Sequence, residues 1–483
     1  MSNDTSEHLS TIPEFGMSFL IVLAALCFLM WIAYRGHSVI LFAPIAAMGA
    51  VLLTDPQLVA PMFSGLFMDK MVGFLKNYFP VFLLGAIFGK VIELSGFSKS
   101  IVTASIKLLG ESRAMLAIVA VCALLTYGGV SLFVVVFAVY PFAAELFRQS
   151  NIPKRLIPGT IALGAFTFTM DALPGTPQIQ NIIPTTFFET TTWAAPVLGL
   201  CGGIFILLVG LAYLEWRRRV AKNNGEGYGD PALLINEPEP VDTMNMANPF
   251  IAILPLLAVG VINKLLTDYI PRVYGKETSF DPAVIGNTPP VVQEVSKLSA
   301  IWAVEGALLA GILIVFAFAG RKVLSKFAAG SKAAIGGALL AALNTASEYG
   351  FGAVIAALPG FLVVATALNS IPNPLVNEAV TVTSLAGITG SASGGLSIAL
   401  AAMADTFMQN AQAAGIPLEV LHRVASMASG GMDTLPHNGA VITLLAVTGL
   451  SHRQSYKDIF AVTIIKTLAV FFVIALYYMT GWV

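Results

Sequence analysis

Apolar runs close to the thickness of a bilayer recur from one end of this chain to the other. Crossing the hydrocarbon core takes about 20 residues. Inside it every backbone N–H and C=O must find a partner within the protein, so such runs read as membrane helices. Composition agrees. Hydrophobic residues make up 57% of the chain and charged residues 11%, against about 25% charged in a soluble domain. The expected fold is an all-α polytopic membrane protein. A net charge of −1 offers no surface for nucleic acid, and no GxxxxGK phosphate loop is present. Residues 1–16 are polar and slightly acidic, unlike the basic start of a cleavable signal peptide, so the first apolar run is expected to stay as a helix. Cys27, Cys122 and Cys201 all fall in apolar runs, where packing is the expected role and not disulfide or metal chemistry.

Ten crossings are read, at roughly 17–34, 38–54, 72–94, 154–186, 193–216, 249–266, 296–320, 334–357, 421–449 and 459–482. With the N-terminus outside, eighteen of the 26 Lys and Arg fall in inside loops and seven outside, Arg423 among the seven. That is the bias expected of cytoplasmic loops. Lys466 lies within the last crossing.

Two further apolar segments are not counted as crossings. Residues 114–126 are 13 in number, about 20 Å of helix, against a core about 30 Å thick. They end at "YGGVS", Tyr127 to Ser131, and a second apolar stretch runs on to 147. With Arg113 and Arg148 at its two ends, the segment reads as a re-entrant hairpin opening to the cytoplasm. "TGSASGGLS", Thr389 to Ser397, lies between apolar runs at 376–388 and 398–414 and reads as a second hairpin, opening outside. The competing reading of each is one long kinked helix.

The chain also repeats itself. "FGKVIELSGF" at Phe88 and "FGAVIAALPGF" at Phe351 are 263 residues apart; "GGVSL" at Gly128 and "GGLSI" at Gly394 are 266 apart. Ile152-Pro153 matches Ile416-Pro417 at 264, and Met170-Asp171 with Leu173-Pro174 matches Met432-Asp433 with Leu435-Pro436 at 262. Four matches in one order imply an internal duplication. The reading is a polar N-terminus at 1–16, a first repeat at 17–216, a cytoplasmic linker at 217–248 and a second repeat at 249–483. Five crossings per half is an odd number, so the copies are inverted. Inverted repeats with breaks at matching places point to a secondary transporter and to its site.

The breaks carry the chemistry. Unwound helices bring free N–H groups to the membrane interior, which suits a carboxylate. Gly128, Gly129, Gly394 and Gly395 leave the backbone bare, and Ser131, Ser393 and Ser397 add hydroxyls. In sequence no Lys or Arg falls near the breaks, so the anion is expected to bind with little help from basic side chains. Asp171 and Asp433 are functional candidates by their position. Ionised, they would repel an anionic substrate; protonated, they would not, so co-binding of a proton follows, with His437 as a relay. A sodium site of Asp oxygens and unwound carbonyls is the rival, and with it sodium-coupled uptake of citrate or a dicarboxylate, which the lack of a basic residue near the breaks disfavours. Blander roles compete throughout. Either Asp could merely cap a half-helix, and His437 could simply pack. Thr176, Gln178 and Asn438 are read as pocket residues, and Gln180, Asn181 and Thr443 as ties for broken backbone. Glu348, with Asn344, is a further candidate for proton coupling, whereas Glu93, Glu145 and Glu305 are read as solvated. No cofactor is expected beyond the coupling ion, and no enzyme activity: an aspartyl protease dyad would need the two Asp side chains adjacent and would leave the hairpins unexplained. A passive channel is the remaining alternative.

At "SGGMDTLPHNGAVITLLAVTGLSHRQSYKDIF", at "GGVSLFVVVFAVYPFAAELFRQSNIP" and at "MDALPGTPQIQN" the chain resembles the gluconate:proton symporter (GntP) family, nearest the branch with D-β-hydroxybutyrate permeases. The resemblance is firmest over 113–190 and 380–460. It implies uptake of a small hydroxycarboxylate with protons across the bacterial inner membrane. It also implies the ion-transporter architecture: a scaffold domain that dimerises and a transport domain with two hairpins that moves as an elevator. The hairpin-tip and break residues named above would form its site. The breaks differ from those of gluconate-specific members, which points to a shorter hydroxy-monocarboxylate.

Overall fold

The computed structural model describes residues 11–35, 37–109, 113–130, 132–230, 234–238, 246–279, 292–361, 366, 371–436 and 438–483. The described chain is mostly helical. Its first half holds α1 (Thr11–Tyr34), α2 (Val39–Thr54), α3 (Pro56–Ser95), α4 (Phe97–Leu109), α5 (Ala114–Tyr127), α6 (Leu132–Gln149), α7 (Ile157–Ala165), α8 (Phe168–Asp171), α9 (Ile179–Phe188) and α10 (Pro196–Asn223). Its second half holds α11 (Pro249–Tyr274), α12 (Val295–Ala357), α13 (Pro374–Thr389), α14 (Ala392–Ala413), α15 (Leu418–Ser429), α16 (Gly439–Thr448) and α17 (His452–Thr480). A short antiparallel ribbon, β1 (Glu277–Ser279) with β2 (Val292–Glu294), precedes α12.

Helices α3, α10, α11, α12 and α17 are long and apolar enough to cross a bilayer. They are apolar on two faces, which a helix in water avoids and a helix between lipid and protein requires. On α10, Leu200, Ile204 and Leu208 form an exposed stripe at four-residue spacing, while Gly199, Gly202, Gly203 and Gly210 turn inward. The inward glycines let Met427 close on Gly202, Leu173 on Gly203 and Leu163 on Gly210. Small residues at helix contacts are what packing inside lipid needs, because apolar side chains gain nothing there by leaving water.

The 63 residues of α12 would reach about 95 Å if straight, three times a bilayer core. The chain instead reverses at Ala319, where φ −133° and ψ 19° leave the helix. Gly311 packs on Phe88 and Lys322 reaches Gly96, whereas Gly330 packs on Leu94 and Gly350 on Phe67. From Gly311 to Lys322 these contacts climb from Phe88 to Gly96, just past the end of α3, and from Gly330 to Gly350 they descend from Leu94 to Phe67, so the chain doubles back close to Ala319. The two crossings read at 296–320 and 334–357 are the two arms of this bent element.

Two helical hairpins follow the same logic. Helices α5 and α6 pack on one another and reverse at Gly128-Gly129, Gly129 taking φ +93°. Helices α13 and α14 reverse at Gly390-Ser391, Gly390 taking φ +65°. There Gly395 lies flat against the backbone of Ala386, so the arms run side by side. The second turn thus falls four residues before the Gly394-Gly395 pair, which opens α14 instead of forming the tip. The segment read as a crossing at 154–186 is broken into α7, α8 and α9, and that at 421–449 into α15 and α16.

Candidate functional site: two helix breaks in contact

The first break begins where Thr167 leaves the helix at φ −133°, ψ −127°. After the single turn of α8, residues 172–178 are unwound. Pro174 and Pro177 have no N–H to offer a helix, and Gly175, at φ +76°, carries the Trp193 ring on its bare side. Buried carbonyls freed in this way need donors, and side chains supply them. Thr176 Oγ1 donates to Thr169 O (2.7 Å), Tyr127 OH to Pro174 O (2.9 Å), and Asn263 Nδ2 to Gly175 O (3.0 Å). Asn181 Nδ2 serves both Thr176 O (3.0 Å) and Thr192 O (2.9 Å). Thr176 and Asn181 therefore serve the backbone. Gln178 does more: its Nε2 donates to Thr126 O (2.7 Å), joining the break to the tip of the α5–α6 hairpin.

The second break takes in Gly430 to Pro436, and α16 opens after Asn438. Thr467 Oγ1 donates to Gly431 O (2.7 Å) and Tyr456 OH to Thr434 O (3.1 Å). Asn438 caps α16, its Oδ1 accepting from Ala440 N (2.7 Å) and Val441 N (2.9 Å). Its Nδ2 donates to Gly390 O (2.7 Å), at the turn of the α13–α14 hairpin. Each break thus ends on an amide side chain that grips the hairpin of its own half.

The breaks meet. The Asp171 carboxyl rests on Gly430, so closely that a Cβ there would collide with Asp171 Oδ2. Asp171 Oδ1 is buried and has no hydrogen-bond partner among the described residues. The expectation that no basic residue comes near the breaks fails in space, because two cations from the second half cross to the first. Arg423 is fully buried on α15, not in an outside loop. Its guanidinium donates to Asp171 O (3.0 Å), Asn181 Oδ1 (3.0 Å) and Ala194 O (2.8 Å from Nη2). Gly199 leaves room for it. Lys466, buried on α17, pairs with the Asp433 carboxylate and donates to Phe166 O (3.0 Å), the carbonyl at the end of α7. Next to Arg423, His422 shares a hydrogen bond with Thr190 Oγ1 (2.6 Å) and donates from Nε2 to Asn181 Oδ1 (3.2 Å). One ring proton satisfies both contacts.

The α14 hairpin arm has its own carboxyl. Glu348, on the second arm of α12, lies against Gly394, and Ser391 caps α14 through Gly394 N (3.0 Å) and hydrogen-bonds Glu348. Glu348 Oε2 and Ser397 Oγ are buried without partners. Ser393 Oγ pairs with Thr345 Oγ1 (3.2 Å). Glu378 on α13 is fully buried, both carboxyl oxygens unpartnered. Ser131 and His437 lie outside the described residues. Two surface clefts of about 530 and 540 Å³ lie near Ser95, Met246 and Lys107, lined by no break residue.

Arg423, Lys466, His422 and Glu378 escaped the reading of the sequence. Lys466 alone carried a usable signal, a charge in the middle of an apolar helix.

A bundle of membrane-length helices with two unwound helices in contact and carboxyls buried between them is the architecture of a polytopic membrane transporter. The chain is 58% identical over 475 residues to the uncharacterized transporter YxjC of Bacillus subtilis (strain 168), covering 97% of this chain and 100% of that one. It belongs to that transporter family. No family model matches the chain. It is also similar to the crystal structure of the Alcanivorax borkumensis YdaH transporter, at 13% identity and a TM-score of 0.49, over 96% of this chain and 99% of that one.

Proposed function

We propose that this chain is a proton-coupled symporter for the uptake of a small hydroxycarboxylate such as 3-hydroxybutyrate or gluconate, in the manner of the gluconate:proton symporters. The contact between two helix breaks, each with a buried Asp, carries the reading. Arg423 is engaged by backbone carbonyls and Asn181, and Lys466 by Asp433 and Phe166 O. Neither is presented to a multiply charged ligand. What the site offers an anion is helix N-termini and hydroxyls, which suits one carboxylate. Asp433 is already paired, whereas Asp171 Oδ1 has no partner; this supports Asp171 as the carboxyl that takes up the proton, with Glu348 as a second.

The matching grips of Gln178 on Thr126 and Asn438 on Gly390 support two related halves. We take these as inverted repeats at 17–216 and 249–483, moving as an elevator against a dimeric scaffold in the plasma membrane. The test is uptake by purified protein in liposomes. Labelled 3-hydroxybutyrate or gluconate should accumulate under an imposed pH gradient and stop on addition of a protonophore. Accumulation that needs sodium and ignores the pH gradient would overturn the proton coupling; no accumulation of either acid would overturn the substrate class.

A further inference from the structure

We infer that the Lys466 ammonium is a tethered cation, filling a place that a free monovalent metal ion would otherwise take. Asp433 Oδ1 and the Phe166 carbonyl converge on Lys466 Nζ, the latter at 3.0 Å. Phe166 closes α7, so its carbonyl belongs to a helix C-terminal end at a break. A carboxylate together with the carbonyl of an unwound helix end is the donor set that holds sodium in broken-helix transporters. Here both kinds of oxygen are present, one of each, and an ammonium group sits between them.

The placement is built from several sides. Thr463, Lys466 and Thr467 share one face of α17 at i, i+3 and i+4. Thr463 Oγ1 pairs with Thr434 Oγ1 and Thr467 Oγ1 binds Gly431 O, so that whole face is stitched to the second break. Lys466 is 1% exposed. Among the described residues, the titratable groups that bear on the pair are Asp171 from the first break and Tyr456 of α17, whose hydroxyl donates to Thr434 O. The Lys466 ammonium therefore answers the Asp433 carboxylate without a metal ion.

This rests on the symport reading only for its consequence, that transport needs no sodium. The test needs no substrate: melting of purified protein in NaCl and in choline chloride, at equal ionic strength and fixed pH. The wild type should melt alike in both salts. Lys466→Ala, which vacates the site and leaves Asp433 bare, should gain sodium-specific stability by mass action, a rise of roughly 3 °C between 1 and 100 mM NaCl. If the variant can be recovered folded only in sodium, that is the same result. Lys466→Met with Asp433→Asn, lacking both charges, should show no sodium response. A wild type stabilised by sodium overturns the inference. So does a Lys466→Ala protein that melts, or is lost, equally in both salts, and so does a double variant that still responds. Absence of hydroxycarboxylate uptake would leave all three melting results intact, so the two failures are distinguishable.

Discussion

The Asp171 carboxyl of the first break lies directly on Gly430 of the second, with no side chain between them. The two breaks therefore meet through a carboxyl and a bare backbone, and nothing larger than hydrogen fits at 430. Gly430→Ala would drive a methyl group into Asp171 Oδ2, and overpacking of this kind costs about 1–3 kcal/mol. The helix can absorb an alanine at Gly430, whose φ is −77°, so the protein should still fold. Transport should fall at least tenfold, on the order of 1.4 kcal/mol in barrier, because Asp171 is displaced. Uptake assays beside a melting curve check it; near-normal transport would show that Asp171's position is irrelevant.

The Lys466–Asp433 pair is buried on both sides, at 1% and 8% side-chain exposure. Breaking one partner of such a pair strands a charge and costs about 3–5 kcal/mol, whereas replacing both by neutral groups is often close to neutral. Asp433→Asn should accordingly be much less stable than wild type, and Lys466→Met added to it should restore most of the loss. A double-mutant cycle by thermal melting reads the coupling directly. Additive losses would mean that the two residues do not act as a pair.

Arg423 uses the planar fork of its guanidinium to hold Asp171 O, Asn181 Oδ1 and Ala194 O together. Lysine keeps the charge and cannot span three acceptors in that geometry. Arg423→Lys should cost about 2–4 kcal/mol, since at least one buried acceptor loses a charged donor. Expression level and melting temperature report the loss; an unchanged melting temperature would rule out the clamp.

How much of this was legible in the sequence follows from what each signal depends on. Apolar runs and the "MD.LP" pairs are local, and they gave the helices, both breaks and Asp171 and Asp433. The α12 reversal at Ala319 was legible as two crossings, because length alone forbids one. The turn of the second hairpin was placed at Gly394-Gly395 by its match to Gly128-Gly129, yet the chain turns at Gly390, where φ is +65°. Composition does not report φ. The cations were missed for another reason. Arg423 and Lys466 stand ten residues before and thirty-three after Asp433, and only the packing of α15 and α17 across both breaks brings them in. A sequence neighbourhood cannot reveal a neighbourhood made by tertiary contact.

Outside the helices, residues 226–230 and 234–237 form a strap over the base of the α6 arm. Glu237 bonds Lys154 Nζ (2.8 Å) and pairs with Arg148, and Glu226 bonds Arg155 Nη2 (2.7 Å). The Arg155 guanidinium holds the Glu226 carboxyl below its usual range. Burial opposes the Glu237 carboxylate, but Lys154 and Arg148 prevail and hold it low as well. Carboxyls depressed in the folded state stabilise it above their unfolded pKa, about 4.3, and that stability fades as pH falls through the folded values. The strap should stay closed at pH 5–7 and loosen progressively as pH falls below the unfolded carboxylate value, about 4.3. Hydrogen exchange over 224–238 should rise there beyond the intrinsic rate, and Glu237→Gln should show the open pattern already at pH 6. Equal protection at pH 6 and 3.5 would remove the strap's dependence on these ion pairs.

The grips of Gln178 and Asn438 on the two hairpins differ in one respect that separates their variants. Asn438 both caps α16 and donates to Gly390 O, whereas Gln178 caps nothing and donates to Thr126 O (2.7 Å) and, at a longer 3.5 Å, to Val130 O. Asn438→Ala should lose a cap, worth about 0.5–2 kcal/mol, and also orphan a buried carbonyl. Gln178→Ala loses one short hydrogen bond and one long one, about 1 kcal/mol net. Asn438→Ser keeps a capping oxygen and is too short to reach Gly390. It should therefore recover most of the melting temperature lost in Asn438→Ala while transport stays impaired, if the grip on the hairpin matters to the cycle. Recovery of both stability and transport by serine would assign Asn438 to capping alone.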